Sequence, residues 1–332
     1  MRNLRPIDLC AASLVAAVVL IGFNAAVARA ARRLAPQQLL QRIDATASNA
    51  RFVFLGDSQM EADADPVSFS AGCARPKDWR PSINVGLGGT KASEHCLILE
   101  RLLTHAPVAD TVFYGFYDNL VTEPVPARFQ DLGGNRALAF AFPERAAELL
   151  FGNDPIRRWT FRTVARVPMI AQRVGIWDRV ERARRILAAI GLPPVAESRF
   201  GRIADFNAIE PPAPSVFEAE LDAALREQRP FNFSTQEILR VCGARRVKLH
   251  LIAMPVPRGH RSKFYSMAAW AAYREHVSSL VRAGGGGFID ASDWLNDEHF
   301  EDPLHATVTG ARLFSARLAQ EVCQTADAAA QR

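Results

Sequence analysis

Hydrophobic and polar positions follow two different periods along this chain. Five short runs rich in β-branched and aromatic residues predict buried strands, at 51–56, 82–86, 110–115, 247–255 and 287–290. Longer segments place apolar residues at helical spacing, at 91–106, 264–284 and 307–323. Because strands alternate with helices, the pattern favours an α/β protein with a mostly parallel sheet and helices on both of its faces.

The segment between the third and fourth predicted strands departs from this alternation. Residues 124–240 contain three helix-like stretches, 142–152, 173–191 and 215–228, and two proline clusters, 124–126 and 211–214. We interpret this segment as a helical insertion, a lid or an element that docks a partner. The alternative is that these helices only thicken the domain.

The N-terminus carries an export signal or an anchor. Arg2 and Arg5 precede a charge-free apolar run from Leu9 to Phe23, and weaker apolar character continues to Ala28. Residues 1–33 therefore resemble a signal-anchor or a signal peptide. Small residues near Ala28 could form a cleavage site, but the arginines beside them favour an uncleaved single-span anchor. In a Gram-negative cell, we expect an inner-membrane anchor and a periplasmic domain.

Composition and charge narrow the class of protein only a little. The 332 residues are 49% apolar and 23% charged, which is typical of a folded globular chain with one large or two small domains. The formal net charge is +5, and no basic stripe interleaved with aromatic residues is visible. The sequence therefore gives no reason to expect a nucleic-acid partner.

Five cysteines leave the disulfide pattern open. Cys10 lies in the apolar run, and four more follow in the part expected to be exported. Pairing Cys73 with Cys96 and Cys242 with Cys323 would tie neighbouring elements together, and buried free thiols are an equal alternative. Since no C-x-x-C occurs, no zinc knuckle is predicted.

The ends of the first two predicted strands carry candidate chemistry. Gly56-Asp57-Ser58 follows the first strand, so the Ser58 hydroxyl is expected at the carboxyl edge of the sheet, near backbone N–H groups. A glycine-rich turn, 86–90, follows the second strand. Lys91 stands where a dinucleotide-binding fingerprint needs its third glycine, so we predict an oxyanion or substrate role for this turn and no cofactor.

The third strand and the C-terminal region supply further candidates. Asp118 and Asn119 follow the third strand, either as an amide donor to an oxyanion or as an ordinary turn. Asp302 and His305 are three residues apart, so the carboxylate can fix the imidazole tautomer while the other ring nitrogen faces a serine. His299 extends the pattern to H-x-x-D-x-x-H, but Pro303 interrupts a helix through it, and no metal site is predicted.

These four blocks, in this order, resemble the SGNH (GDSL-type) hydrolase superfamily over about residues 50–123 and 241–324. The resemblance implies a flavodoxin-like, three-layer α/β/α fold with a mostly parallel five-stranded sheet. The α/β domain would be discontinuous, from 34–123 and 241–326. The resemblance also implies that Ser58 is the nucleophile, His305 the general base and Asp302 the residue that orients His305.

The same resemblance implies an oxyanion hole formed by Gly89, the N–H of Ser58 and an asparagine of the third block. The third block departs from the family's G-x-N-D, because Tyr117 stands at the asparagine position and Asn119 lies two places further on. Either Asn119 swings in, or Tyr117 donates its hydroxyl, or this donor is missing. The residues expected to contact substrate are Asp57, Tyr117 and Asp118.

The anchor and the insertion make the chain similar to membrane-anchored SGNH proteins that act with envelope-polymer acylation. This implies a serine esterase or O-acyltransferase that acts on an acylated envelope glycan through an acyl-serine, with a membrane-bound O-acyltransferase as a candidate partner. The alternative is a non-catalytic envelope assembly protein whose insertion docks a membrane partner.

Overall fold

A computed structural model describes residues 6–73, 81–123, 131–172, 197–198, 201–202, 214–264 and 268–330. The chain forms two compact units. One comprises residues 1–39 and 127–192, and the other comprises residues 40–126 and 193–332. We call them the N-terminal unit and the sheet unit.

The strands are β1 (Phe52–Leu55), β2 (Ser82–Asn84), β3 (Thr111–Phe116), β4 (Glu197–Ser198), β5 (Gly201–Arg202), β6 (Lys248–Ala253) and β7 (Gly287–Asp290). Five of them form one parallel sheet in the order β2-β1-β3-β6-β7, while β4 and β5 form a short antiparallel pair. All five predicted strands are present, and the expected parallel α/β fold is confirmed. The strand order reverses between β1 and β3, which is where open α/β sheets bind ligands.

The helices are α1 (Pro6–Ala31), α2 (Ala35–Thr46), α3 (Ser58–Asp63), α4 (Pro66–Cys73), α5 (Ala92–His105), α6 (Pro143–Phe151), α7 (Pro155–Ala165), α8 (Pro168–Ala171), α9 (Pro214–Arg226), α10 (Phe233–Arg245), α11 (Arg258–Phe264), α12 (Ala268–Ala283) and α13 (Val308–Ala330). Short 3-10 helices cover Ala47–Asn49, Asn119–Val121, Gly134–Ala141 and Asp297–His299.

Alternate side chains of the strands pack against helices on opposite faces of the sheet. On one face, Phe54 and Phe113 pack with Phe69 of α4 and with Phe314 of α13. On the other face, strand β3 contacts two helices through ring pairs: Tyr114 with His95 of α5, and Phe116 with Trp270 of α12. The sheet therefore forms the middle of three layers, as expected.

One disulfide joins Cys73, at the end of α4, to Cys323, near the end of α13. Both predicted pairs are therefore wrong. Helix α4 packs along α13, which brings Cys73 to the C-terminal helix and away from α5. Cys96 and Cys242 are buried thiols on α5 and α10, two helices that pack against each other.

The segment expected as an insertion, 124–240, is divided between the units. Helices α6 to α8 belong to the N-terminal unit with α1, whereas α9 and the start of α10 belong to the sheet unit. Helix α10 packs on α5 and β6 and buries Ile238 and Cys242, so it is part of the sheet's outer layer. The predicted helix at 173–191 lies outside the described residues.

Helix α1 contains a stretch, Ser13–Ala31, that is long and apolar enough to cross a membrane. This agrees with the expectation of an N-terminal signal-anchor or signal peptide. By length and composition alone, such a helix fits either role.

We predict that the Cys73–Cys323 disulfide stabilises the sheet unit, because it closes a loop of 250 residues and restricts the unfolded chain. The double substitution Cys73→Ala and Cys323→Ala should lower the free energy of unfolding by roughly 2–4 kcal/mol. Denaturant titration of the oxidised chain measures this loss. A thiol reductant should destabilise the wild type and leave the double variant unchanged, and an equal effect on both would contradict the prediction.

Candidate active site

Ser58 is the first residue of α3, directly beyond the carboxyl end of β1. The Asp57 side chain caps this helix by accepting a hydrogen bond from the Gln59 N–H at 3.0 Å. The turn is tight, since a Cβ on Gly56 would lie 2.8 Å from the Cβ of Met60. Ser58 is half-buried at the edge of the sheet, at the β1–β3 switch point.

The glycine-rich turn after β2 approaches this serine through Gly88. A Cβ on Gly88 would lie 3.2 Å from the Cβ of Ser58, so a larger residue would require Ser58 or the turn to shift by a few tenths of an ångström. The Gly88 N–H donates to the Glu61 carboxylate at 2.8 Å. Gly89 is exposed with a φ of +70°, a conformation that favours glycine, and its role in an oxyanion hole stays a prediction.

Asp302 and His305 contact each other as their spacing predicts. Nδ1 of His305 lies 2.8 and 2.9 Å from the two carboxylate oxygens of Asp302. The backbone N–H groups of Leu304 and His305 donate to the same carboxylate, each at 2.9 Å. Burial acts to raise the pKa of Asp302, but these hydrogen bonds outweigh it and hold that pKa below its usual value. An ionised Asp302 fixes the proton of His305 on Nδ1.

The third histidine of the H-x-x-D-x-x-H pattern stands apart from this pair. Nε2 of His299 lies 3.7 Å from the Glu298 carboxylate, and the His299 carbonyl accepts from the Thr307 N–H. Within the part of the chain that the structure describes, no cluster of three or more His, Cys, Asp or Glu side chains could hold a metal ion.

Two buried side chains of α3 bind the loop that carries His305. The amide nitrogen of Gln59 donates to the Leu304 carbonyl at 3.0 Å, and Asp63 accepts from the Ala306 N–H at 2.8 Å. The residues on both sides of His305 are therefore bound to the helix that begins with Ser58. Neither role was predicted from the sequence, in which the available signal was a polar residue directly after the serine and another one turn later.

The third block places its side chains differently from the family's pattern. Tyr117 packs against the aromatic core on the α4–α13 face, and burial raises the pKa of its hydroxyl. The amide nitrogen of Asn119 donates to Glu220 of α9 at 3.3 Å. The oxyanion and substrate roles predicted for Tyr117 and Asn119 stay predictions.

Asp57 and Asp118 lie at the ends of the two strands that flank the switch point. Both line a cavity of about 20 Å³, which is room for one water molecule, together with Thr90, His95 and Tyr117. Burial raises the pKa of Asp57 to about 6 and that of Asp118 to about 8, and the charge of Asp57 adds to the shift at Asp118. Near neutral pH, ionisation of one of these two carboxyls therefore opposes ionisation of the other.

A larger cleft of about 490 Å³ lies on the other side of α3. It is bounded by Glu61, one turn after Ser58, and by Ala306, next to His305. Charged and amide side chains share its lining with apolar ones; the former include Arg42, Asp65, Asn84, Glu301 and Arg312. Its volume is in the range of small-molecule sites, and this mixed lining suits a ligand that carries both hydroxyl and apolar groups.

Comparisons with known proteins add little to this geometry. No family model matches the chain. No curated protein matches it either. A solved structure from Streptococcus pneumonia, which carries the provisional name platelet activating factor, is 12% identical with a TM-score of 0.39, covering 94% of this chain and 97% of that one. A likeness this distant carries no argument about activity.

We predict that Asp118 makes stability depend on pH. Its pKa is higher in the folded chain than in the unfolded chain, so the stability from its protonated form is present below about pH 4 and lost as pH rises toward about 8. Asp118→Asn keeps an acceptor for the Leu120 N–H and cannot ionise. At pH 8 it should be more stable than the wild type by at least about 1.4 kcal/mol, the value of one pKa unit.

Denaturant titrations at pH 5, 6, 7 and 8 measure this difference. Asp293→Asn, which removes an exposed carboxyl by the same change, is the matched control. Parallel profiles for wild type and Asp118→Asn would show that Asp118 does not titrate in this range.

Proposed function

We propose that this chain is a serine-dependent esterase or O-acyltransferase of the SGNH type. The observation that carries the proposal is the connection between Ser58 and the Asp302–His305 pair through the buried side chains of α3. A serine, an imidazole with a fixed tautomer and a buried carboxylate are the groups that acyl transfer requires.

In the proposed reaction, Nε2 of His305 removes the proton of Ser58 while Oγ attacks the carbonyl carbon of an ester. The tetrahedral intermediate collapses, the alcohol leaves with the proton from His305, and an acyl-Ser58 ester forms. Water or a sugar hydroxyl then attacks this ester, and His305 acts as base once more. Asp302 stabilises the imidazolium in both steps through Nδ1–H.

The oxyanion of this intermediate would be bound by the N–H groups of Ser58 and Gly89. A third donor would have to come from the third block, where the Asn119 amide is bound to Glu220. Since one such donor contributes roughly 10²–10³ in rate, we expect slow turnover unless the third block rearranges when substrate binds.

We propose an acylated cell-envelope glycan as the substrate. The cleft beside Glu61 and Ala306 supports this choice, because its charged and amide side chains can bind sugar hydroxyls while its apolar ones can contact an acyl group. The apolar helix α1 supports a membrane anchor. We propose in addition that this anchor lies in the inner membrane and that the sheet unit lies in the periplasm. A membrane-bound O-acyltransferase would supply or receive the acyl group, and no nucleic acid is expected to bind.

A second candidate function is a non-catalytic assembly protein that docks a membrane partner. It is favoured by the third block, where the Asn119 amide is bound to Glu220 and Tyr117 packs into the core. A scaffold would have no need for an oxyanion donor at these positions.

We predict that a fluorophosphonate probe forms one covalent adduct per chain, on Ser58, because His305 activates this hydroxyl. Ser58→Ala should abolish the adduct. Ser68→Ala removes a hydroxyl that is bound to Asp65 and should label like the wild type. Mass spectrometry of the intact chain and its peptides measures both outcomes, and an adduct that persists in Ser58→Ala would exclude Ser58 as the nucleophile.

We also predict that His305→Ala and Asp302→Asn lower the turnover of p-nitrophenyl acetate by about 10²–10⁴-fold, since each removes part of the general base. Asp302→Asn should retain the fold, which circular dichroism checks. If the wild type and His305→Ala both turn over the substrate at the background rate, and if no fluorophosphonate adduct forms, the non-catalytic assembly protein is favoured.

A further inference from the structure

The exposure of the side chains of helix α1 changes along its length. Every side chain from Ser13 to Phe23 is exposed, including large apolar ones at Leu14, Val15, Val18, Val19, Leu20, Ile21 and Phe23. From Asn24 onward the helix is partly covered, and Val27 and Ala31 are buried. An apolar surface of this extent does not stay in water, so its natural environment is lipid. Among the described residues of the N-terminal unit, the packing on α1 involves its last two turns.

The covered end of α1 packs against the short helix α8. The Met169 N–H donates to the Asn24 side-chain oxygen at 3.0 Å, and Ala171 is buried beside this contact. The apolar stretch of α1 runs from Ser13 to Ala31, close to the about 20 helical residues that a bilayer core about 30 Å thick takes. Asn24 lies about 10 Å before the end of this stretch, at a rise of 1.5 Å per residue. Helix α8 therefore packs on the C-terminal part of the stretch, on the side where the chain leaves the bilayer.

Helix α7 continues this surface with an exposed apolar patch. Ile156 and Trp159 are 75% and 66% exposed, and they share one helix face with Thr163 and Arg166. The opposite face is already packed, since Phe161 is fully buried and stacks on Phe140 at 5.0 Å. Ile170 of α8 is also exposed. The exposed apolar patch is therefore not part of the hydrophobic core of the N-terminal unit.

The chemistry of the patch fits a lipid headgroup layer. Tryptophan prefers this layer because its ring is apolar while its N–H needs a polar partner. Arg166 follows Trp159 by two turns, and its guanidinium can bind phosphate oxygens. Residues 143–172 carry five arginines and three acids, so the segment is net basic by two charges.

We propose that the interfacial surface, defined as Ile156, Trp159, Arg166 and Ile170, rests in the phospholipid headgroup layer beside α1. The inference rests on the membrane-spanning role of α1 and is independent of the chemistry proposed for Ser58. A phospholipid surface is the occupant because the patch belongs to the same compact unit as the exposed part of α1, Ser13 to Phe23, and because its net basic segment complements anionic headgroups. The N-terminal unit then contacts the bilayer at two places, which fixes its orientation.

The test uses the full chain in nanodiscs whose lipids carry bromine near the headgroup end of the acyl chains. Bromine quenches the fluorescence of tryptophans that reach the layer. We expect Trp159→Phe to lose at least half of the lipid-dependent quenching seen in the wild type. The chain has five tryptophans, and Trp294 of the sheet unit, which packs on Phe314, offers a matched control. Trp294→Phe should keep the lipid-dependent quenching of the wild type.

Aqueous iodide gives the complementary reading, since a lipid-embedded Trp159 is shielded from it. Equal lipid quenching in wild type and Trp159→Phe, with Trp159 open to iodide, would place the patch in water and overturn the proposal. Shielding of Trp159 from both quenchers would mean that a protein surface covers it, which also overturns the proposal. Failure of the chain to co-elute with nanodiscs would overturn the spanning role of α1. Fluorophosphonate labelling tests the chemistry proposed for Ser58 independently of any contact with lipid.

Discussion

The candidate site depends on the way α3 binds the loop that carries His305. Ser58 begins this helix, and two of its buried side chains, Gln59 and Asp63, bind the backbone on both sides of His305 across about 245 residues of sequence. Burying an amide and a carboxyl is costly unless they are hydrogen-bonded, so the helix and the loop stabilise each other only in this arrangement. The helix that presents the serine therefore also fixes the imidazole.

The same region collects carboxyl groups in a nearly dry environment. Burial raises the pKa of Asp63 well above its usual value, as it does for Asp57 and Asp118. Asp302 differs because three hydrogen bonds stabilise its ionised form, and its pKa is lowered. Burial and hydrogen bonds thus shift the pKa values of neighbouring carboxyls in opposite directions. Asp302, the carboxylate that contacts His305, is kept ionised by its hydrogen bonds, as a general base requires.

The two units have different roles in the proposed function. The sheet unit holds every residue proposed for acyl transfer, and the Cys73–Cys323 disulfide joins its early helix α4 to its last helix α13. The N-terminal unit holds the apolar helix α1 and the interfacial surface. A chain with this division can contact lipid through one unit and leave the residues of the other free for a polar substrate.

Local patterns in the sequence were enough to predict the strands, the turn at Ser58 and the contact between Asp302 and His305. Each of these depends on residues a few positions apart, where burial period, turn chemistry and side-chain reach decide the outcome. Tertiary packing decided the rest. The disulfide follows from α4 lying on α13, and the place of Asn119 follows from a hydrogen bond to Glu220, 101 residues away. The roles of Gln59 and Asp63 exist only because the chain returns to α3 at residue 304, and no local spacing encodes that return.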